Sequence, residues 1–304
     1  MKKPLKINGR KLTGTDFVLA AIAIFIGIIT VYPMWYVIVM AFSSPEAVMQ
    51  GRPWIWFIGF SAESFKIALE DPSVYRALAM TILYVLFGLA MMLTSCMMMA
   101  FPLTRPNLKG RKWVVFFLLI PMYFGGGMIA SYVWIGKFLK LYNTFWAVAL
   151  PGISIWNMIL CRTFLASIPK DLSEAAYIDG ASNLQVLLRI YVPLAAPVLA
   201  VISIYTIVGV WNSWFGSMLY QTNEDLHPIQ MYLQRMLIAQ KVDLVALTRE
   251  RADPEVIANA VRQSQIAYQL KYSMIVFITV PILMVYPMFQ KHFVKGVMLG
   301  SLKG

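Results

Sequence analysis

Residues 171–193, Asp-Leu-Ser-Glu-Ala-Ala-Tyr-Ile-Asp-Gly-Ala-Ser-Asn-Leu-Gln-Val-Leu-Leu-Arg-Ile-Tyr-Val-Pro, form a polar, glycine-punctuated island between long apolar runs. Three of its features, with Pro169 just before it, predict two short helices joined at Gly180. Pro169 suits a first helical turn, where a missing N–H costs nothing. Asp171 and Glu174 fall where the positive end of a helix dipole favours acids. Gly180 supplies the left-handed residue that ends a helix, and Ser182 or Asn183 can cap the next. Ala175 and Ala176 leave the helix surface thin enough for close approach by another protein. Pro193 then stands at the start of the next apolar run. An ordinary hairpin outside the membrane fits these residues equally well.

Outward from the island, composition fixes the solvent. Of the 304 residues, 60% are apolar and 13% are charged, whereas soluble domains carry about 25% charged residues. Six stretches lack Asp, Glu, Lys and Arg: 17–42, 77–104, 113–136, 141–161, 190–223 and 272–290. At about 1.5 Å per residue, each can cross a hydrocarbon core of roughly 30 Å. The expectation is an all-α membrane protein with six transmembrane helices. It comprises an N-terminal tail (1–16), a transmembrane domain (17–290) and a C-terminal tail (291–304).

Orientation follows from the cations. With six crossings, both termini, residues 105–112 and the loop 169–193 share one side. That side holds fifteen of the 26 cations and four of the 14 acids, leaving eleven cations and ten acids on the other. Lys and Arg accumulate on the cytoplasmic face, so the termini and the island are expected there. The basic excess is thus topological and does not argue for nucleic acid. The first apolar run is too long for a cleaved signal and stays as a helix. Cys96 and Cys161 fall in apolar helices with neither disulfide nor metal spacing and read as packing residues. The long outer loop 224–271 shows helical spacing at Leu233, Met236 and Leu237 and again at Val256, Ile257, Ala260 and Val261, which predicts two small amphipathic helices.

Glu174-Ala175-Ala176, Asp179-Gly180-Ala181, Ile190 and Pro193 keep the order and spacing of the EAA motif. In these residues the chain resembles the permeases of ATP-binding-cassette importers; Ile178 lies within the motif, and Leu187 stands where many relatives carry Phe. Trp211-Asn212-Ser213-Trp214, Pro228 with Gln230, and His292-Phe293-Val294-Lys295-Gly296 through Lys303-Gly304 are similar to maltose-type carbohydrate permeases. Gly125-Gly126-Gly127, Asn157 and Arg162 resemble the branch assigned to oligosaccharides from complex polysaccharides, such as aldouronates. Residues 240–262 are least informed by the likeness.

The resemblance implies a type I importer permease fold in a bacterial cytoplasmic membrane. It also implies a second homologous permease subunit, two copies of a cytoplasmic ATPase and an extracytoplasmic solute-binding protein that delivers an oligosaccharide. The chain lacks a Gly-rich phosphate loop with Lys-Ser/Thr; no cofactor is expected in it, and ATP and magnesium belong to the ATPase partners. The helix ending at Gly180 would be the coupling helix, with Glu174 pairing to a cation of the ATPase. Lys295, Gly296 and Lys303 would bring the C-terminal tail against the ATPases. Tyr123, Trp211, Asn212, Trp214 and Tyr220 offer aromatic and polar chemistry for a sugar pathway, although Trp and Tyr also gather at membrane interfaces and that reading is favoured for any single one.

Two other classes fit less well. An ion-coupled secondary transporter or channel subunit needs charged or readily ionised groups inside the membrane, and the six stretches hold no Asp, Glu, Lys, Arg or His. A membrane-embedded enzyme needs a nucleophile, base or metal cluster, yet His227 and His292 are the only histidines and are placed on opposite sides.

Overall fold

The computed structural model describes residues 6–7, 10–11, 13–150, 154–239 and 253–301. It is helical throughout, apart from a two-residue antiparallel pair that sets Lys6 opposite Lys11 and Ile7 opposite Arg10. The chain divides into two compact units: Met1–Glu70 with Met236–Phe277, and Asp71–Arg235 with Ile278–Gly304.

In the first unit α1 spans Gly14–Ala41. Its start is fastened by the Thr13 N–H, which donates to Asp16 Oδ2 at 2.7 Å. Phe17, Ile24, Phe25 and Val31 are exposed, and burial within the protein begins only at Val39. Lipid is the solvent that makes such a surface inexpensive. Two short helices follow, α2 (Pro45–Met49) and α3 (Glu63–Glu70). The start of α3 is tied to the end of α1 by Gln269, which is fully buried. Its Nε2 faces the carbonyls of Ala41, Ser43 and Ser61 at 3.2, 2.7 and 3.2 Å, and its Oε1 accepts from the Ser64 hydroxyl. One amide thus meets three backbone carbonyls, of which Ala41 O also accepts from the Ser273 hydroxyl at 3.2 Å.

The second unit is built on α4, Pro72–Thr104. Asp71 caps it by accepting from the Ser73 N–H at 2.8 Å, and Pro72 follows as a first-turn residue. Val74, Ala77, Thr81, Tyr84, Gly88, Met92, Cys96 and Ala100 recur every three or four residues and are buried, the single inward stripe expected of a 3.6-residue period. This stripe packs on α8 (Ile155–Ala166) and α12 (Ala196–Trp211). Cys96 and Cys161 are fully buried there, with Cys161 Sγ 3.6 Å from Met97 Sδ.

The apolar segments are less uniform than six straight crossings. α1, α4 and the last helix are each long and apolar enough to span a bilayer. The expected third crossing is instead α5 (Arg111–Tyr123) and α6 (Gly127–Tyr132, continued as a π-helical turn to Phe138), bent by 113°. The break falls at Phe124-Gly125-Gly126, where glycine costs no side-chain strain, and Gly127 has φ +78°. The fourth segment holds a one-turn helix α7 (Trp146–Ala149) and the 12-residue α8. The fifth helix ends at Trp211 rather than Asn223, and a separate α13 (Phe215–Tyr220) follows it. The loop 224–271 contains α14, Ile229–Ala239. The second expected outer helix is the beginning of α15, Pro254–Ser301, which continues through the sixth apolar segment.

Candidate functional site

The polar island folds as two helices joined at Gly180. α9 runs Asp171–Ile178, with Asp171 and Glu174 in its first turn. Lys170 occupies the N-cap position, so Pro169 lies one residue outside the helix rather than in its first turn. Gly180 has φ +79°. Its N–H donates to Tyr177 O at 3.1 Å and the Ala181 N–H to Ala176 O at 2.9 Å, the paired bonds of a Schellman ending that requires a left-handed residue. Ser182 then starts α10 (Asn183–Val186): it receives the Gln185 N–H on its hydroxyl at 3.3 Å and gives its own N–H to Gln185 Oε1 at 2.7 Å. This reciprocal pair is a capping box.

The chain continues through a π-helical turn, Leu187–Tyr191, into α11 (Val192–Leu194). Pro193 has no N–H to offer the carbonyl of Arg189, and widening the turn accommodates the loss. At Ala195 the path bends by 77° into α12.

The two faces of α9 differ. Ala176, Ala181 and Ile190 pack against a buried cluster that includes Met97, Ala100, Phe101, Leu165, Val186, Leu187 and Tyr191. Of the two motif alanines, only Ala175 is on the outer face. Glu174, Ala175, Asp179, Gly180 and Pro193 are exposed. So are three large apolar side chains: Ile178 at 87%, Leu184 at 64% and Leu188 at 56%. Beside α9 lies a groove of about 800 Å³, lined by Glu174, Lys170, Tyr177, Asn183, Leu184 and the segment Thr104–Leu108 among others. A smaller hollow of about 390 Å³ lies against Ala176, Asp179, Gly180, Ala181, Gln185, Arg189 and Ile190.

Sequence reasoning counted Arg105 only as a topological cation, yet it is the polar centre of this region. Its Nη1 donates to Ser173 Oγ at 3.2 Å. Its Cζ lies 4.2 Å from the ring centroid of Phe101, 4.8 Å from that of Tyr191 and 5.8 Å from that of Tyr177. The local signal was Phe101 four residues before Arg105, in the last turn of α4. Nearby, Arg162 Nε donates to Leu103 O at 3.4 Å, placing a cation at the negative end of α4.

The five sugar-pathway candidates are dispersed in their settings. Trp211 is buried, at 6% exposure, and its indole N–H donates to Ile278 O at 3.2 Å. Tyr220 is buried and stacks on Tyr132 with centroids 6.0 Å apart. Tyr123 is 74% exposed beside the α5–α6 break. Asn212 is exposed and accepts from Gln230 Nε2 at 3.3 Å, and Trp214 packs edge-on to Phe215. Lys295 and Gly296 lie on α15, while their side chains and Lys303 fall outside the described residues, as does 240–252. Among the described residues no cluster of His, Cys, Asp and Glu could hold a metal ion.

Residues 67–299 match the family described as binding-protein-dependent transport system inner membrane component. This chain belongs to that family. Among relatives of this transport-system component, Protein LplC of Bacillus subtilis (strain 168) is 35% identical over 280 residues, covering 92% of this chain and 91% of LplC. The polygalacturonan/rhamnogalacturonan transport system permease protein YtcP of the same organism is 30% identical over 293 residues, covering 95% and 98%. A crystal structure of a bacterial ABC transporter involved in the import of the acidic polysaccharide alginate superposes with a TM-score of 0.81 at 28% identity, covering 93% of this chain and 99% of that one. Membership of an inner membrane component family accounts for the exposed apolar surface of α4, which lies within the matched residues.

Proposed function

We propose that this chain is a permease subunit of an ATP-driven importer, and that it takes up oligosaccharides derived from complex, uronate-rich polysaccharides. Membership of the binding-protein-dependent family and the likeness to YtcP and to the alginate transporter support that reading. The chain crosses the bilayer six times with both termini cytoplasmic: α1, α4 and α15 cross singly, the bent pairs α5–α6 and α11–α12 each make one crossing, and α7–α8 makes the sixth. It pairs with a second permease, rests on two ATPase subunits that bind ATP and magnesium, and receives sugar from an extracytoplasmic binding protein.

One observation carries the coupling role. Ile178 is almost fully exposed at the end of α9, in a polar segment outside the apolar helices, where no lipid tail covers it. A partner that buries Ile178 and pairs with Glu174 gains apolar contact and a charge at one point. Closure of two such partners would draw the paired α9 helices together and rock the membrane helices between inward-open and outward-open states.

The test is uptake of labelled uronate oligosaccharides by cells lacking this chain. Wild type restores ATP-dependent uptake. Glu174→Ala inserts in the membrane but restores several-fold less uptake and less ATPase stimulation by the loaded binding protein. Full uptake in cells without the chain would contradict the assignment.

A further inference from the structure

We propose that Arg105 is a positioning residue that locks α9 to the end of α4, so that force applied at α9 moves α4 with it. The inference rests on the coupling reading of α9 given above. Arg105 follows the last turn of α4, and its side chain touches three separate pieces of chain: Phe101 on α4, Ser173 and Tyr177 on α9, and Tyr191 on the π-helical turn before Pro193.

The electrostatics are unusual for an arginine. Its Nε and Nη2 are buried without hydrogen-bond partners, and among the described residues no carboxylate pairs with it. Arg105 as a whole is half-buried, and withdrawing two of its three guanidinium nitrogens from water is costly unless something offsets the charge. Here the offset comes from ring faces, whose quadrupoles attract a cation most strongly when water is excluded. The single hydrogen bond goes to Ser173, which is itself buried and donates to Lys170 O at 2.8 Å. A planar group is needed to meet several rings while its edge reaches a hydroxyl. An ammonium is a compact, strongly hydrated point charge and does not substitute for it.

The placement suits transmission. Rotating or withdrawing α9 relative to α4 would pull apart the one hydrogen bond of the guanidinium, to Ser173, and take away the Tyr177 ring. Both outcomes raise the energy of independent motion, so the two helices move as one body. A carboxylate partner in place of the rings would set a stronger but more directional contact. Ring faces tolerate small sliding while keeping the charge satisfied.

The experiment uses the complete importer in proteoliposomes, with its companion permease, ATPase subunits and loaded binding protein. The readout is the ratio of ATPase activity with loaded binding protein to activity without it, measured on samples whose subunit composition equals that of wild type. Arg105→Lys is expected to lower this ratio by roughly fivefold or more, the scale of a typical coupling energy. Tyr191→Leu lowers it in the same direction, and Ser173→Ala added to Arg105→Lys lowers it no further. A ratio within about twofold of wild type in assembled Arg105→Lys overturns the proposal. Where Arg105→Lys does not assemble, Ser173→Ala alone decides: a reduced ratio supports the lock and an unchanged one overturns it. Ile178→Asp separates the two levels of inference. If it abolishes stimulation while the Arg105 and Ser173 variants behave as wild type, the lock fails and α9 remains the coupling element; if it too leaves the ratio unchanged, the coupling reading fails.

Discussion

The Tyr232 hydroxyl on α14 donates to Asp71 Oδ2 at 2.6 Å, joining the start of α4 to α14. Burial pushes the Asp71 carboxyl up, but hydrogen bonds from Ser73, Tyr232 and the Ser73 N–H outweigh it and leave the group below its ordinary 3.8. Burial, the bond to Asp71 and the Asp71 charge together push Tyr232 from 10.0 up to about 12.

The two shifts fix the sign of a pH dependence. A depressed carboxyl contributes stability that is present above its unfolded value and is lost as pH falls through the folded one. A raised phenol contributes stability that is present below its unfolded value and is lost as pH rises through the folded one. Thermal unfolding of the purified chain in detergent should therefore show an acid loss beginning near pH 4 and an alkaline loss between pH 10.0 and about 12. Tyr232→Phe should flatten the alkaline limb. An alkaline limb identical in Tyr232→Phe would contradict the assignment.

Gly88 marks the close approach of α4 and α12. A Cβ built there would lie 3.3 Å from Val210 Cγ2. Gly88→Leu must force the helices apart and is expected to destabilise the protein by roughly 1–3 kcal/mol. Val210→Ala in the same background should recover part of the loss, because the opposing methyls are gone. Melting temperatures of the single and double variants check this, and a double variant no more stable than Gly88→Leu would place the clash elsewhere.

Gly180 has open space around its missing Cβ, so a substitution there is judged by backbone alone. Its φ of +79° costs a β-branched residue about 1–2 kcal/mol, whereas Asn tolerates the left-handed region better. Gly180→Val should weaken the α9–α10 junction and Gly180→Asn should be milder. Limited proteolysis within 171–193 reads the difference; equal cleavage of the two variants would show that the junction does not depend on this conformation.

The island was legible because its signals are local. Dipole-placed acids, a left-handed glycine and a capping residue at Ser182 or Asn183 each act over a few residues, and α9, Gly180 and α10 appear where they point. The helix ends were less legible. A charge-free run from Tyr272 marks what lipid can cover, but α15 begins at Pro254 because a helix carries Arg262 and Lys271 without difficulty once it leaves the hydrocarbon. The 113° break at Phe124-Gly125-Gly126 left a glycine run in the sequence, yet apolar content is the same for a straight span and a broken one. Arg105 was hidden for a different reason. Its rings come from residues 101, 177 and 191, and that meeting is created by tertiary packing rather than by spacing.

The exposed Ile178 offers the most direct test of the account. A photoreactive amino acid placed at position 178 in the assembled importer, with a matched probe at the exposed Ile55 of the first loop, reports what each site touches. The account predicts that the probe at 178 forms an adduct with the ATPase subunit and that the probe at 55 does not. An adduct from 178 to the binding protein, or ATPase adducts of equal yield from both positions, would contradict the assignment of α9 as the element that couples this permease to its motor.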